Sequence, residues 1–235
     1  MEIAKIIALI APKEEVWDRQ FDEYLQMQFE PGSINKDENE RIFFQSNELL
    51  MDIAANFFIY GNFKDQWDTS KCQMNIYGQA LLLKSKKMDA TFYWGTDRDY
   101  FYLEAYVRHA QNLRFMTDEF WSMILNLKQY GEFEFSGIGR LGSAEKPYFE
   151  NKTSTVFQML RTFMLFQIEK MNQSNYQQPD FMEVGHFTIK WNFSTDWDTL
   201  LEEACKTFKL LYNINYQLWK ISDLANKKFQ KNGGY

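Results

Sequence analysis

The chain has 235 residues, 45% of them apolar, and its 26 Lys and Arg against 32 Asp and Glu give a net charge of −6. That balance describes a folding globular chain and excludes a disordered one, a collagen-like repeat, a disulfide framework and an array of long membrane helices. Ten acids and four bases fall in residues 1–40, so the net charge is concentrated at one end and the remaining 195 residues are neutral.

Ile6 to Ala11 is the one uninterrupted apolar run near the start, too short and too acidic in its flanks for a secretory signal. The Ile content of residues 3–10 and the Pro12 stop favour a strand there. Trp17, Phe21, Tyr24 and Gln28 then recur at helical spacing until Pro31-Gly32, which predicts a helix over 14–29. A polar loop to about Glu40 follows. Leu49, Leu50, Ile53, Phe57 and Phe58 form a second helical stripe, with Ser46 as its cap and Gly61 as its terminator.

Between Cys72 and Val107 short aromatic and β-branched runs alternate with Gly and Asp, as in a meander of strands. Its clearest part is a hairpin, Asp89 to Trp94 and Asp99 to Val107, turning at Gly95-Thr96-Asp97-Arg98. Because strand side chains alternate, Phe101, Leu103, Ala105 and Val107 share a face that should be core, and Tyr100, Tyr102, Glu104 and Tyr106 share the other.

Thr117 caps a predicted helix with the stripe Phe120, Ile124 and Leu127, ended by Gly131. Glu132 to Ser136 reads as a strand, followed by a Gly-rich loop. From Thr153 or Ser154 a very apolar helix carries Phe157, Leu160, Phe163, Met164 and Ile168, the pattern of a central buried element. A Gln- and Asn-rich linker over 172–178 leads to a strand in which Phe187, Ile189, Trp191 and Phe193 alternate with His186, Thr188, Lys190 and Asn192. Thr195 and Asp198 resemble a capping box. Beyond it Trp197, Leu200, Leu201, Ala204, Phe208 and Leu211 form a stripe that continues through Ile214, Leu218, Ile221 and Ala225, as one helix or two. Its two heptads are too few for a coiled coil, so it should pack against the domain's own sheet. The expectation is a single α+β domain over 1–235, with a mainly antiparallel sheet, about five to six helices and a helical carboxyl terminus.

Gly137-Ile138-Gly139-Arg140-Leu141-Gly142 spells G-x-G-x-x-G after a strand, and with Arg140 and Lys146 such a loop could cradle phosphate. A dinucleotide site would need a helix to open at the loop, but Pro147 follows. Kinase motifs and a nucleophile elbow are missing, and His109 and His186 are too few for a His-rich metal site. Asp97-Arg98-Asp99 fits turn chemistry better than cation binding. Glu150-Asn151-Lys152 has the Glu-x-Lys form used by some metal-dependent nucleases, without the upstream Asp that chemistry needs. Cys72 and Cys205 stand far apart and fit reduced core thiols.

Phe, Tyr and Trp make up 18% of the chain, but the acidic balance weighs against stacking on nucleic acid, and Lys84, Lys86 and Lys87 are the one dense basic knot outside the last helix. From Lys206 to Lys231 six Lys face one acid, Asp223. Helix-end chemistry accounts for the acidic start and basic end, and a molecule offering an acidic face to one partner and a basic face to another is the sharper reading. The sequence thus favours a cytoplasmic, non-enzymatic protein that binds another protein without cofactor or metal, as an inhibitor, an immunity-type protein or an assembly component. Tyr100, Tyr102, Glu104 and Tyr106 are its expected contact residues. The alternative is an enzyme or sensor that binds a phosphate-bearing small molecule through Gly137, Gly139, Arg140, Gly142 and Lys146.

Overall fold

A computed structural model describes residues 2–30, 35–75, 78–137 and 185–231. Among these the helices are α1 (Ile3–Ile10), α2 (Glu14–Phe29), α3 (Lys36–Gly61), α4 (Asp118–Asn126) and α5 (Trp197–Lys231). The strands are β1 (Trp67–Asn75), β2 (Gly78–Ser85), β3 (Thr91–Asp97), β4 (Tyr100–Tyr106), β5 (Glu132–Gly137) and β6 (Gly185–Asn192), in the sheet order β1-β2-β3-β4-β6-β5. β1 and β2 pair antiparallel with Cys72 opposite Leu81, and the register shifts between Asp68 and Lys71. β4 and β6 are antiparallel too, since Val107 N–H bonds Gly185 C=O at one end and Phe193 N–H bonds Asp99 C=O at the other. The class is therefore α+β, with five helices among the described residues. The expected helix near 153–168 and the linker over 172–178 lie outside them.

Contacts divide the chain into two compact units. One comprises Met1–Lys86, Phe92–Leu103 and Lys190–Lys209, and the other Lys87–Thr91, Glu104–Ile189 and Leu210–Tyr235.

In the first unit, residues 3–10 form a helix and not the expected strand. Ile6 and Ile10, four apart, bury one face, and Pro12 does not act as a stop. Pro12 sits in the first turn of a 3-10 segment, Ala11–Lys13, where its missing N–H removes no helical bond, and α2 begins directly afterwards. α2 buries Trp17, Phe21 and Tyr24 as its spacing predicts.

α3 starts ten residues before Ser46, the expected cap. Asn35 caps it, its side-chain oxygen accepting from Glu38 N–H at 2.9 Å, and the first-turn acids Asp37 and Glu38 suit the helix dipole. The charged opening turn had the composition of a loop. Gly61 is still helical at the other end, and the left-handed residue that closes the helix is Asn62, at φ 48°. Between β3 and β4 the turn is tighter than expected, two residues, with Arg98 at φ 54°.

The core of this unit is aromatic. Phe208 of α5 touches the rings of Phe57, Phe58, Phe63, Trp67 and Phe92 at centroid distances of 5.0 to 5.8 Å. A second group joins Phe21, Phe101, Phe193 and Trp197. The same unit holds a buried polar chain. Tyr24 Oη lies 2.7 Å from Thr96 Oγ1, which also accepts from Gln79 N–H at 3.3 Å, while Gln79 Nε2 donates to Ser46 Oγ at 2.6 Å and Ser46 in turn to Phe43 C=O at 2.9 Å. Ser46 is thus a buried link of this chain.

In the second unit Thr117 stands at the start of α4 as expected, but its hydroxyl bonds the Glu119 carboxylate and not a helix N–H, which holds that carboxyl below its ordinary range. α5 is one continuous helix of 35 residues, about 52 Å at the α-helical rise. The residue that caps it is Asp196, not Thr195: the Asp196 carboxylate accepts from Thr199 N–H at 2.8 Å. Asn215 on α5 is buried, accepts from Arg108 N–H and donates to Leu211 C=O, so the polar positions after Asn213 leave the helix intact. Asn112 donates to Leu218 C=O and Ser222 Oγ, both at 2.8 Å, and so ties the 3-10 segment Ala110–Phe115 to this helix.

Candidate protein-binding face

β4 keeps the expected alternation. Phe101, Leu103, Ala105 and Val107 are at most 1% exposed, whereas Tyr100, Tyr102, Glu104 and Tyr106 are half-buried. In the first unit the Lys190 ammonium lies 5.1 Å from the Tyr100 ring centroid, a cation–π contact between neighbouring strands. In the second unit Tyr106 and His186 bring their rings to 5.0 Å, and one Glu104 oxygen receives His186 Nε2 and the Thr188 hydroxyl, each at 3.4 Å. His186, Thr188 and Lys190 are the polar set read from the alternation of β6. Thr188 is more covered than that alternation alone requires, at 8% exposed.

The second unit's part of the strand therefore sets a phenol ring beside an imidazole and a carboxylate, and the first unit's part carries the phenol rings of Tyr100 and Tyr102. Such groups bind partners by ring contact and by hydrogen bonds whose donors and acceptors are held in place. Among the described residues no three His, Cys, Asp or Glu side chains converge as a metal site. Of Asp97-Arg98-Asp99, Asp97 ends β3 and Arg98-Asp99 form the turn into β4. Of the Gly-rich loop only Gly137, the last residue of β5, is described. Gly139, Arg140, Gly142 and Lys146, like Glu150-Asn151-Lys152, lie outside the described residues.

Two titratable groups, His109, which the sequence raised only as a metal ligand, and Glu203, have environments that the sequence does not announce. His109 sits at φ 56°, and burial holds its imidazole below its ordinary range. Burial raises the Glu203 carboxyl, which accepts from Trp191 Nε1 at 2.9 Å. Neither has a linear signal, because each environment is assembled from distant segments.

Both cysteines are free thiols. Burial raises the thiol of half-buried Cys72 and pushes fully buried Cys205 up to about 12. Iodoacetamide at pH 8 should therefore modify Cys72 slowly and Cys205 only after unfolding, since the thiolate is the nucleophile. Mass spectrometry of native and denatured samples measures this, and rapid double labelling of the native chain would contradict the burial of Cys205.

The chain matches no protein-family model, no curated protein and no solved structure. Its functional reading therefore rests on the chemistry of its own residues. No described helix is long and apolar enough to cross a membrane.

Proposed function

We propose that this chain is a non-catalytic binding protein that meets another protein through the outward residues of β4, Tyr100, Tyr102, Glu104 and Tyr106. The observation that carries the reading is the exposure pattern of that strand: its apolar residues are fully buried, and its three tyrosines keep part of their surface in solvent. Tyrosine supplies large contact area with few rotatable bonds and a polar tip, which is why it is enriched where proteins meet. The carboxylate of Glu104, between His186 and Thr188, adds a fixed acceptor among the rings. Two free cysteines suit a reducing, cytoplasmic setting for this role.

The test is affinity capture from the native lysate with the tagged full-length chain, followed by titration of the captured protein against Tyr102→Ala. That substitution should weaken binding by about 1 to 4 kcal/mol, the range of an interface anchor, with the melting curve nearly unchanged. A stability loss of about 3 to 5 kcal/mol would instead make Tyr102 a core residue and overturn the reading.

A further inference from the structure

Residues 1–61, the stretch that contains the three amino-terminal helices, hold twelve acids and five bases, net −7, and the rest of the chain is +1. On these helices a groove of about 450 Å³ is lined by Pro12, Val16, Trp17 and Met51, with Lys13, Glu48 and Asp52 among its polar residues. Lys13 is committed to Asp52 at 2.9 Å, and Glu48 is exposed. Val16 of this groove is 42% exposed, and Leu9 at the end of α1 is 65% exposed. An apolar slot rimmed by carboxylate is thus open on the acidic end of the sequence.

The complementary surface is present in the same chain. From Lys220 to Lys231 α5 carries four Lys and one acid, Asp223, which is paired with Lys227 at 2.7 Å. Leu224 of this segment is 49% exposed, on a helix already formed. A basic helix with an exposed leucine fits an acidic interhelical groove by the ordinary helix-in-groove mode, and no folding cost attaches to either side.

We propose that the groove of Val16 and Met51 receives the α5 segment Lys220–Lys231 of a second copy of this chain, a head-to-tail contact independent of the tyrosine face. Unlike a two-fold dimer, such a contact uses two different patches. Attraction between exposed charges makes it sensitive to salt.

Sedimentation velocity on the full-length chain tests this, from about 5 to 200 µM, the range in which a small interface of this kind associates. Self-association is expected at about 50 mM NaCl and should weaken at least tenfold at about 500 mM, where the Debye length shrinks to a few ångströms. Val16→Lys and Leu224→Asp, both at exposed positions and checked for folding by circular dichroism, should each be monomeric. Their equimolar mixture should regain a dimer, because the first variant keeps the basic helix and the second keeps the groove. A wild type that stays monomeric at low salt overturns the proposal. So does association that either variant leaves intact, or a mixture that remains monomeric while the wild type associates.

Discussion

Phe208→Ala should cost about 3 to 5 kcal/mol, the usual loss when a large buried ring is truncated. The side chain is 0% exposed and meets five other rings, drawn from α3, the segment after it, β1 and β3. None of these neighbours can follow the missing ring without abandoning its own contacts, so a cavity remains and its lining loses dispersion contacts. At this chain length such a loss lowers the melting temperature by roughly 10 °C or more. Urea denaturation of the variant measures it, and a loss under 1 kcal/mol would mean that Phe208 is not the centre of this cluster.

Gly95→Ala should be comparably damaging although it adds one methyl group. A Cβ at Gly95 would lie 2.0 Å from Gln79 C=O and 2.7 Å from Ala80 Cα, and one at Gly78 would lie 1.9 Å from Thr96 C=O. The obstacles are backbone atoms of the adjoining strand, so no rotamer change relieves them and β2 must move away from β3. That movement pulls Thr96 and Gln79 apart and breaks the buried polar chain they share. We expect a loss of about 3 kcal/mol or more, at the upper end of overpacking substitutions. Gly61→Ala provides the comparison. There the obstacle is the Phe63 ring at 2.0 Å, which can rotate, and the loss should be smaller. Equal stability of Gly95→Ala and the parent would refute the close approach of these strands.

The elements legible in the sequence were those whose signal is local and periodic. Trp17, Phe21 and Tyr24 mark α2, and the inward set of β4 appears residue for residue. Errors arose where one local rule competed with another. Pro12 reads equally as a stop or as a first-turn residue, and only the burial of Ile6 and Ile10 on one helical face decides between them. Asn35 is an ordinary cap, but the charged turn behind it lacks the apolar spacing that would have announced a helix. The candidate face was half legible. Alternation separates the tyrosines from the core and His186 from Phe187, but the pairing of β4 with β6, which brings Glu104 to His186, joins residues 82 apart and leaves no mark in either segment. The Val16 groove was invisible for the same reason, since it exists only once α2 lies against α3.

The hydroxyls and amide that run from Tyr24 through Thr96 and Gln79 to Ser46 also bear on how this sequence can drift. Each member is a partner of another, so losing one leaves a buried polar atom without its bond, whereas exchanging neighbours together for apolar side chains of similar shape can be nearly neutral. Positions 24, 46, 79 and 96 are therefore coupled. Relatives of this chain should carry the four as a set or have replaced them as a set, and a sequence holding only part of it would mark a lineage in which the junction of α2, α3, β2 and β3 has been rebuilt.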